Sequence, residues 1–427
     1  MSINNNSNLF ISKCTKCCFK IVIPNGIFFL LFVKMGKIMK KCTIFTPNFY
    51  VKKMKYFLIA GEASGDLHAS NLMAQIKKED PEAEFRFFGG DLMAAVGGTM
   101  LLHYREMAFM GIFEVVANLD KVKRNMKLCQ EALSEYMPDL LILVDYPGFN
   151  LRMAKFAKTL GLKVYYYISP KIWAWKKKRA YTVKKLIDKM FVIFPFEVDF
   201  YKQFDYKVEY VGNPLVDAMK AREKDIIPAS EFRDRFQLAD HPYIALVAGS
   251  RKNEIKKLLP EMLKVTEKFS DYQFIIAGAP GIDHDFYNDF ISGYANVKVI
   301  FDQTYSVVKN AVAAVVTSGT ATLEAAFLRT PQVVVYKLQY ASYLVGRMLV
   351  KINFISLVNI ILNRECVKEL IQTDLANRIT DELSHILTDT DYRNRMLKDY
   401  EEINTILGDG SASAQTAKII VEDLRNS

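Results

Sequence analysis

Cysteine, histidine and tryptophan are scarce in this chain: six, five and two among 427 residues. Four of the cysteines (Cys14, Cys17, Cys18 and Cys42) stand in the first 53 residues, and their spacing lacks the paired pattern of a zinc site. The other two, Cys129 and Cys366, lie far apart in apolar surroundings, which excludes a disulfide-stapled scaffold and suits core packing in a reducing cytoplasm. No uninterrupted apolar run reaches the ~20 residues that a membrane span needs. "GIFFLLFV" (26–33) is too short and no small-residue cleavage site follows it, while "YLVGRMLVKINFISLVNIIL" (343–362) is broken by Arg347 and Lys351. Acid is missing altogether from residues 1–53, which carry nine lysines and no arginine. Taking those nine from the 57 basic residues leaves 48 against 47 acidic, so the net charge of +10 belongs to this extension and the body is nearly neutral. That balance excludes nucleic acid as a partner.

Residues 1–53 therefore read as an extension, disordered or absent from the functional protein, with an auxiliary membrane anchor as the alternative. From Met54 onward short apolar runs alternate with amphipathic stretches, the pattern of parallel sheets covered on both faces. Strands are expected at 56–60, 85–90, 140–145, 163–169, 190–196 and 208–212. A second set follows at 243–250, 273–278, 297–302, 313–320 and 332–337. The charged, proline-containing stretch 217–242 separates the two sets as a linker with an entry helix. The expected architecture is α/β, with two facing Rossmann-like, doubly wound domains (54–216 and 217–427) and a cleft between them; the last helices could pack back on the first domain. Ligands belong at the carboxyl ends of both sheets.

Three glycine-bearing turns occupy such ends. "GEASGD" (61–66) joins a strand to a helix, but Glu62 and Asp66 would repel a diphosphate. Gly61 and Gly65 allow a tight turn and close approach, and the carboxylates with Ser64 and His68 suit sugar hydroxyls; Asp66 has the alternative of capping the helix. "VAGSRKNEI" places Gly249, Ser250 and Arg251 where backbone N–H groups and a guanidinium can hold phosphate oxygens. "VTSGTATLE" repeats the turn at Ser318, Gly319 and Thr320 and adds Glu324, a carboxylate able to accept from ribose hydroxyls. Helix capping by Ser250 and Ser318 and a solvated Glu324 are the ordinary alternatives. "GIDHDFYND" (281–289) clusters Asp283, His284, Asp285 and Asp289, but in polar surroundings it reads as a solvated loop, not a metal site.

In order and spacing "GEASGD", "MGIFEV", "VDYPGFN", "SPKIWAWKKKR", "FPFE", "VGNPLVD", "GSRKNEI", "SGTATLE" and "FISLVNIILNRECVKELIQ" resemble the lipid-A-disaccharide synthases, across residues 54–427 and none of 1–53. The resemblance implies an inverting glycosyltransferase of GT-B fold that joins UDP-2,3-diacylglucosamine to 2,3-diacylglucosamine 1-phosphate (lipid X), with no cofactor and no metal. It implies that Arg251 meets the donor diphosphate, that residues 318–320 line it, and that Glu324 and Asn359 hold the nucleoside. Asp145, ending an apolar strand, matches the family's proposed catalytic aspartate; a turn-capping role is the alternative. Where some members carry a second acid this chain has Gly148, and Glu62, Asp66 and Glu114 rank behind Asp145. Trp173 and Trp175 with Lys176 and Arg179 suit a lipid phosphate and a membrane surface, the cytoplasmic face of the inner membrane; the alternative places the tryptophans in the core. A homodimer stays open. A UDP-sugar epimerase would fit the same architecture but would need no lipid surface.

Overall fold

The computed structural model describes residues 10–14, 18–22, 28–32, 53–107, 119–175, 177–337, 353–408 and 410–426. The chain divides into two units, Met1–Lys53 and Met54–Ser427. In the first, β1 (Phe10–Cys14), β2 (Cys18–Val22) and β3 (Phe28–Phe32) form an antiparallel sheet in that order. The sequence reading expected no regular structure there.

The second unit holds two wholly parallel sheets. One contains β4 (Lys55–Ala60), β5 (Glu84–Gly89), β6 (Thr99–His103), β7 (Leu140–Val144), β8 (Val164–Tyr167), β9 (Lys189–Val192) and β10 (Glu209–Tyr210). Their order is β10-β9-β8-β7-β4-β5-β6. The other contains β11 (Tyr243–Val247), β12 (Gln273–Gly278), β13 (Val297–Phe301), β14 (Ala313–Thr317), β15 (Gln332–Tyr336) and β16 (Glu369–Ile371), ordered β13-β12-β11-β14-β15-β16. Central strands β7, β11 and β14 are buried along their whole length, which is why they read as unbroken apolar runs rather than alternating ones. Each large side chain shut away in this manner, such as Phe57, Tyr166 or Ile244, contributes roughly 1.5–3 kcal/mol.

Strand order decides where a ligand can enter. In the first sheet the winding reverses between β4 and β7, and in the second between β11 and β14. Helices leave such neighbours toward opposite faces, so a crevice opens at their carboxyl ends. Glu62 follows β4, Asp145 follows β7, Arg251 follows β11 and Ser318 follows β14. All four stand at a crevice.

Two expectations need correction. The run 190–196 is not one strand: β9 stops at Val192 and Pro195 opens the helix Pro195–Lys202, where a missing N–H costs nothing. The stretch 281–289 is no loop, because Asp283 precedes the helix His284–Ile291, and the His284 ring lies on Phe301 with centroids 3.7 Å apart. The linker 217–242 carries helix as expected, in Pro214–Arg222 and Ala229–Arg235. The Asp217 carboxylate accepts the N–H groups of Ala412 and Ser413 at 3.2 and 2.9 Å. Those residues begin the helix Ala412–Arg425, which returns to the first sheet: Ala417, Ile420 and Val421 share one cluster with Tyr56, Leu58, Leu72 and Ile76. Arg425 donates to the Glu79 carbonyl at 2.6 Å, and Asp423 pairs with Lys163 and Lys189 at 3.3 and 3.0 Å. Among the described residues no helix is long and apolar enough to cross a membrane.

Candidate active site

Asp145 and Tyr146 are consecutive non-glycine residues in left-handed conformation, with φ of 44° and 46°. Such a pair costs on the order of 1–2 kcal/mol per residue and persists only where neighbours enforce it. Here Asn150 Nδ2 donates to the carbonyls of Asp145 and Val144 at 2.7 and 3.2 Å, and the Tyr166 hydroxyl also donates to the Asp145 carbonyl. The Asp145 N–H reaches the Tyr167 carbonyl at 3.2 Å. The backbone that carries this carboxylate is thus fixed from the adjacent strand β8 and from the helix Pro147–Thr159 that follows it. Tyr146 donates its hydroxyl to the Met107 carbonyl at 2.7 Å and lays its ring on Gly61, where a Cβ would fall 2.2 Å from a ring carbon. No other residue fits at position 61 without moving that ring.

The electrostatics join both crevices. Burial raises the pKa of Asp145, while the Lys171 ammonium and a hydrogen bond from the Tyr146 N–H pull it back. Burial and then the Asp145 charge raise Glu62, opposed by Arg251 and Lys171. Glu62 and Asp145 come from the first sheet and Arg251 from the second, so groups from both sheets share one field.

At the second crevice Gly249 takes φ 119°, and the carboxylate of Glu254 closes on it. Glu254 accepts from the Ser250 N–H at 3.3 Å and from Arg251 Nη1 at 3.1 Å. An anion already occupies the amide-and-guanidinium turn, supplied by the helix Lys252–Lys264 itself. Neither serine is a helix cap: Arg251 and Thr320 hold the cap positions, and Ser318 instead donates its hydroxyl to the Ile355 carbonyl at 3.0 Å. Gly319 and Thr320 are exposed beside it. Glu324 is half-buried without a hydrogen-bond partner for its carboxylate among the described residues, and burial pushes its pKa up to about 7, with Arg222 opposing.

Other expected site residues are placed elsewhere or already engaged. Asp66 is 3% exposed and accepts the N–H groups of Gly90, Leu92 and Met93 at 2.8, 3.1 and 3.1 Å. It holds the start of the helix Asp91–Val96, not a sugar and not its own helix. Asn359 is fully buried; its Nδ2 donates to the Val367 carbonyl and Glu369, and its Oδ1 accepts from Cys366 and Val367. With every donor and acceptor of the amide used, nothing is left for a nucleoside. His68 is half-buried with Nδ1 shut away unpartnered, and burial drives its pKa down to about 4, so the ring is neutral at pH 7. Gly65 packs the helix Ala63–Glu79 against Ala60, while Ser64 stays exposed in the first turn. Trp173 is not an interfacial residue: its ring meets Phe196 edge-on at 5.0 Å and its N–H is buried. Arg179 is half-buried and engaged. Lys176, the Trp175 side chain and Glu114 lie outside the described residues. Gly148 is exposed with nothing within 4 Å of a Cβ, so space does not explain the missing second acid.

Sequence reasoning passed over Lys171, Glu254 and Tyr146. Lys171 lies in the motif "SPKIWAWKKKR", Glu254 is the acid three residues beyond Arg251, and nothing in the sequence marks Tyr146 as the cover of Gly61.

Two parallel doubly wound sheets, with acids at one switch point and a guanidinium at the other, define the GT-B class of α/β protein. Solved structures agree on the fold: UDP-GlcNAc 2-epimerase from Neisseria meningitidis (TM-score 0.61, 16% identity, 88% of this chain and 100% of that one) and the calicheamicin glycosyltransferase CalG4 (0.56, 16%, 88% and 99%). The profile of the lipid-A-disaccharide synthetase family matches residues 56–420. Proteins named lipid-A-disaccharide synthase from Myxococcus xanthus and Nitrosococcus oceani are 38% and 39% identical over 375 and 363 residues, covering 86% and 83% of this chain and 97% and 92% of theirs. The chain belongs to the lipid-A-disaccharide synthetase family, and its role is hexosyl transfer in lipid A disaccharide synthesis.

Proposed function

We propose that this enzyme transfers the sugar of UDP-2,3-diacylglucosamine to the 6-hydroxyl of lipid X with inversion, giving a β-1,6-linked disaccharide 1-phosphate and UDP. The observation that carries this reading is the shared field of Glu62, Asp145 and Arg251, two acids and a cation brought from opposite sheets to the two switch points. Asp145 takes the proton of the 6-hydroxyl as its oxygen attacks the donor's anomeric carbon, and the bond from that carbon to the diphosphate oxygen breaks. Burial that raises the Asp145 pKa also makes it a better proton acceptor than an ordinary aspartate. The leaving diphosphate takes over the Ser250 N–H and Arg251 donors now filled by Glu254. Ser318, Gly319 and Thr320 line it, and the unpartnered Glu324 accepts from ribose hydroxyls. Glu62, beside Asp145, meets acceptor hydroxyls.

Both substrates are acylated, so the protein works at a bilayer surface, on the cytoplasmic face of the inner membrane. The helix Leu119–Tyr136 supports this with exposed Leu119 and Leu128 beside exposed Lys123, Arg124 and Lys127. Purified protein mixed with both substrates should yield UDP and a disaccharide phosphate by mass spectrometry. UDP without disaccharide would identify a hydrolase and reject the transfer.

A further inference from the structure

Lys171 stands at the edge where the first crevice meets its acids. Val144 pairs with Tyr167 in adjacent parallel strands, so Asp145 and Lys171 leave the sheet from the same end, one residue and four residues past that pair. Ala60 pairs with Val144 on the other side, which brings Glu62 to the same end. The Lys171 side chain is exposed and makes no hydrogen bond or ion pair with any described residue. It is nonetheless close enough to Asp145, Glu62 and Glu197 to favour the charged form of each. Arg251, the other cation in this field, is tied to Glu254 at 3.1 Å. An ammonium whose charge acts on three acids but is paired with none of them is free to take an anionic ligand.

The acceptor supplies such an anion. It carries a phosphate on its anomeric carbon, and in a pyranose that carbon and the one bearing the 6-hydroxymethyl group flank the ring oxygen. Both substituents therefore leave the same edge of the sugar. With the 6-hydroxyl at Asp145, the phosphate comes to rest near the same acids, which would repel it unless a cation intervened.

We propose that Lys171 binds the anomeric phosphate of the acceptor and so positions the 6-hydroxyl against Asp145. This rests on the acceptor assigned above. An ammonium-to-phosphate contact in a partly desolvated crevice is a charge-assisted one, strong enough to set substrate preference.

The test compares lipid X with its dephosphorylated counterpart on the wild type, Lys171→Ala and Lys171→Arg. For the wild type, kcat/KM should favour the phosphorylated acceptor. In Lys171→Ala that preference should shrink by about ten- to a hundredfold, mostly through a raised KM for lipid X, and Lys171→Arg should restore part of it. An unchanged preference in Lys171→Ala, with only the acidic limb of the rate profile displaced, would mean that Lys171 merely tunes Asp145, and the proposal falls. If the wild type makes no disaccharide at all, the assigned reaction fails and takes the phosphate contact with it. A normal wild-type rate with an undiminished preference in the variant overturns the contact alone.

Discussion

Asp145, at the end of an apolar strand, and Asn359, buried in the helix Leu357–Leu362, are both polar side chains in apolar surroundings, and their hydrogen bonds give them opposite duties. Every polar atom of the Asn359 amide is committed, so Asn359→Ala would strand the Cys366 and Val367 N–H groups and leave Glu369 short of a donor. A loss of about 2–4 kcal/mol in denaturant unfolding is expected, with UDP affinity of the folded protein unchanged. Weakened UDP binding at wild-type stability would return Asn359 to the nucleoside site. Asp145 has its backbone pinned and its carboxylate left to do chemistry. Turnover of Asp145→Asn should fall by ~10²–10⁴ while UDP still binds in calorimetry, and the acidic limb of the rate profile, displaced upward by burial in the wild type, should vanish. A few-fold drop with the limb intact would make Asp145 a turn residue. The sequence exposed Asp145 because it directly follows an apolar strand, and Arg251 because it closes the glycine turn just beyond another. It hid the roles of Asp66 and Asn359 because burial and partners decide them, and the partners of Asp66 lie 24 to 27 residues away.

Among elements, the helix Pro195–Lys202 shows how a cap becomes a pH sensor of stability. Glu197 is 1% exposed, accepts the N–H groups of Ile193 and Phe194 at 3.1 Å each, and is pushed by burial up to about 7 from the ordinary 4.5. Between those values the folded state holds a proton that the unfolded chain has lost. The stability from this group is full below about 4.5 and is lost as pH rises through about 7, an effect of at most roughly 3 kcal/mol. Glu197→Gln should flatten that part of the stability-versus-pH curve, as read by denaturant midpoints at a series of pH values; an unchanged slope would mean that Glu197 ionises normally. Strand legibility follows the same burial logic. Strands sealed on both faces, such as β7 and β11, were readable as apolar runs, whereas β6, with its first two residues exposed, and the three-residue β16 carried no such run. The strand expected over 190–196 ran too far because aromatic residues continue past Val192, and only the proline marks the change to helix.

For the whole molecule, the charge excess and the chemistry lie in different units. The acid-free segment 1–53 holds nearly all the net charge, and every residue assigned to transfer lies beyond it. Residues 54–427 alone should therefore fold and turn over at the full-length rate, checked by thermal unfolding and product formation. Loss of either would make the extension integral. The helix Ala412–Arg425 carries a different consequence. It completes the apolar cluster of Leu72, Met73 and Ile76, yet the Arg425–Glu79 contact joins residues 346 positions apart. At about 5–20 residues per second the ribosome needs roughly 20–70 s to span that interval. Throughout it the nascent first domain displays a sticky helix face with its cover still unmade. The first domain therefore reaches its final packing only after the helix Ala412–Arg425 has been made.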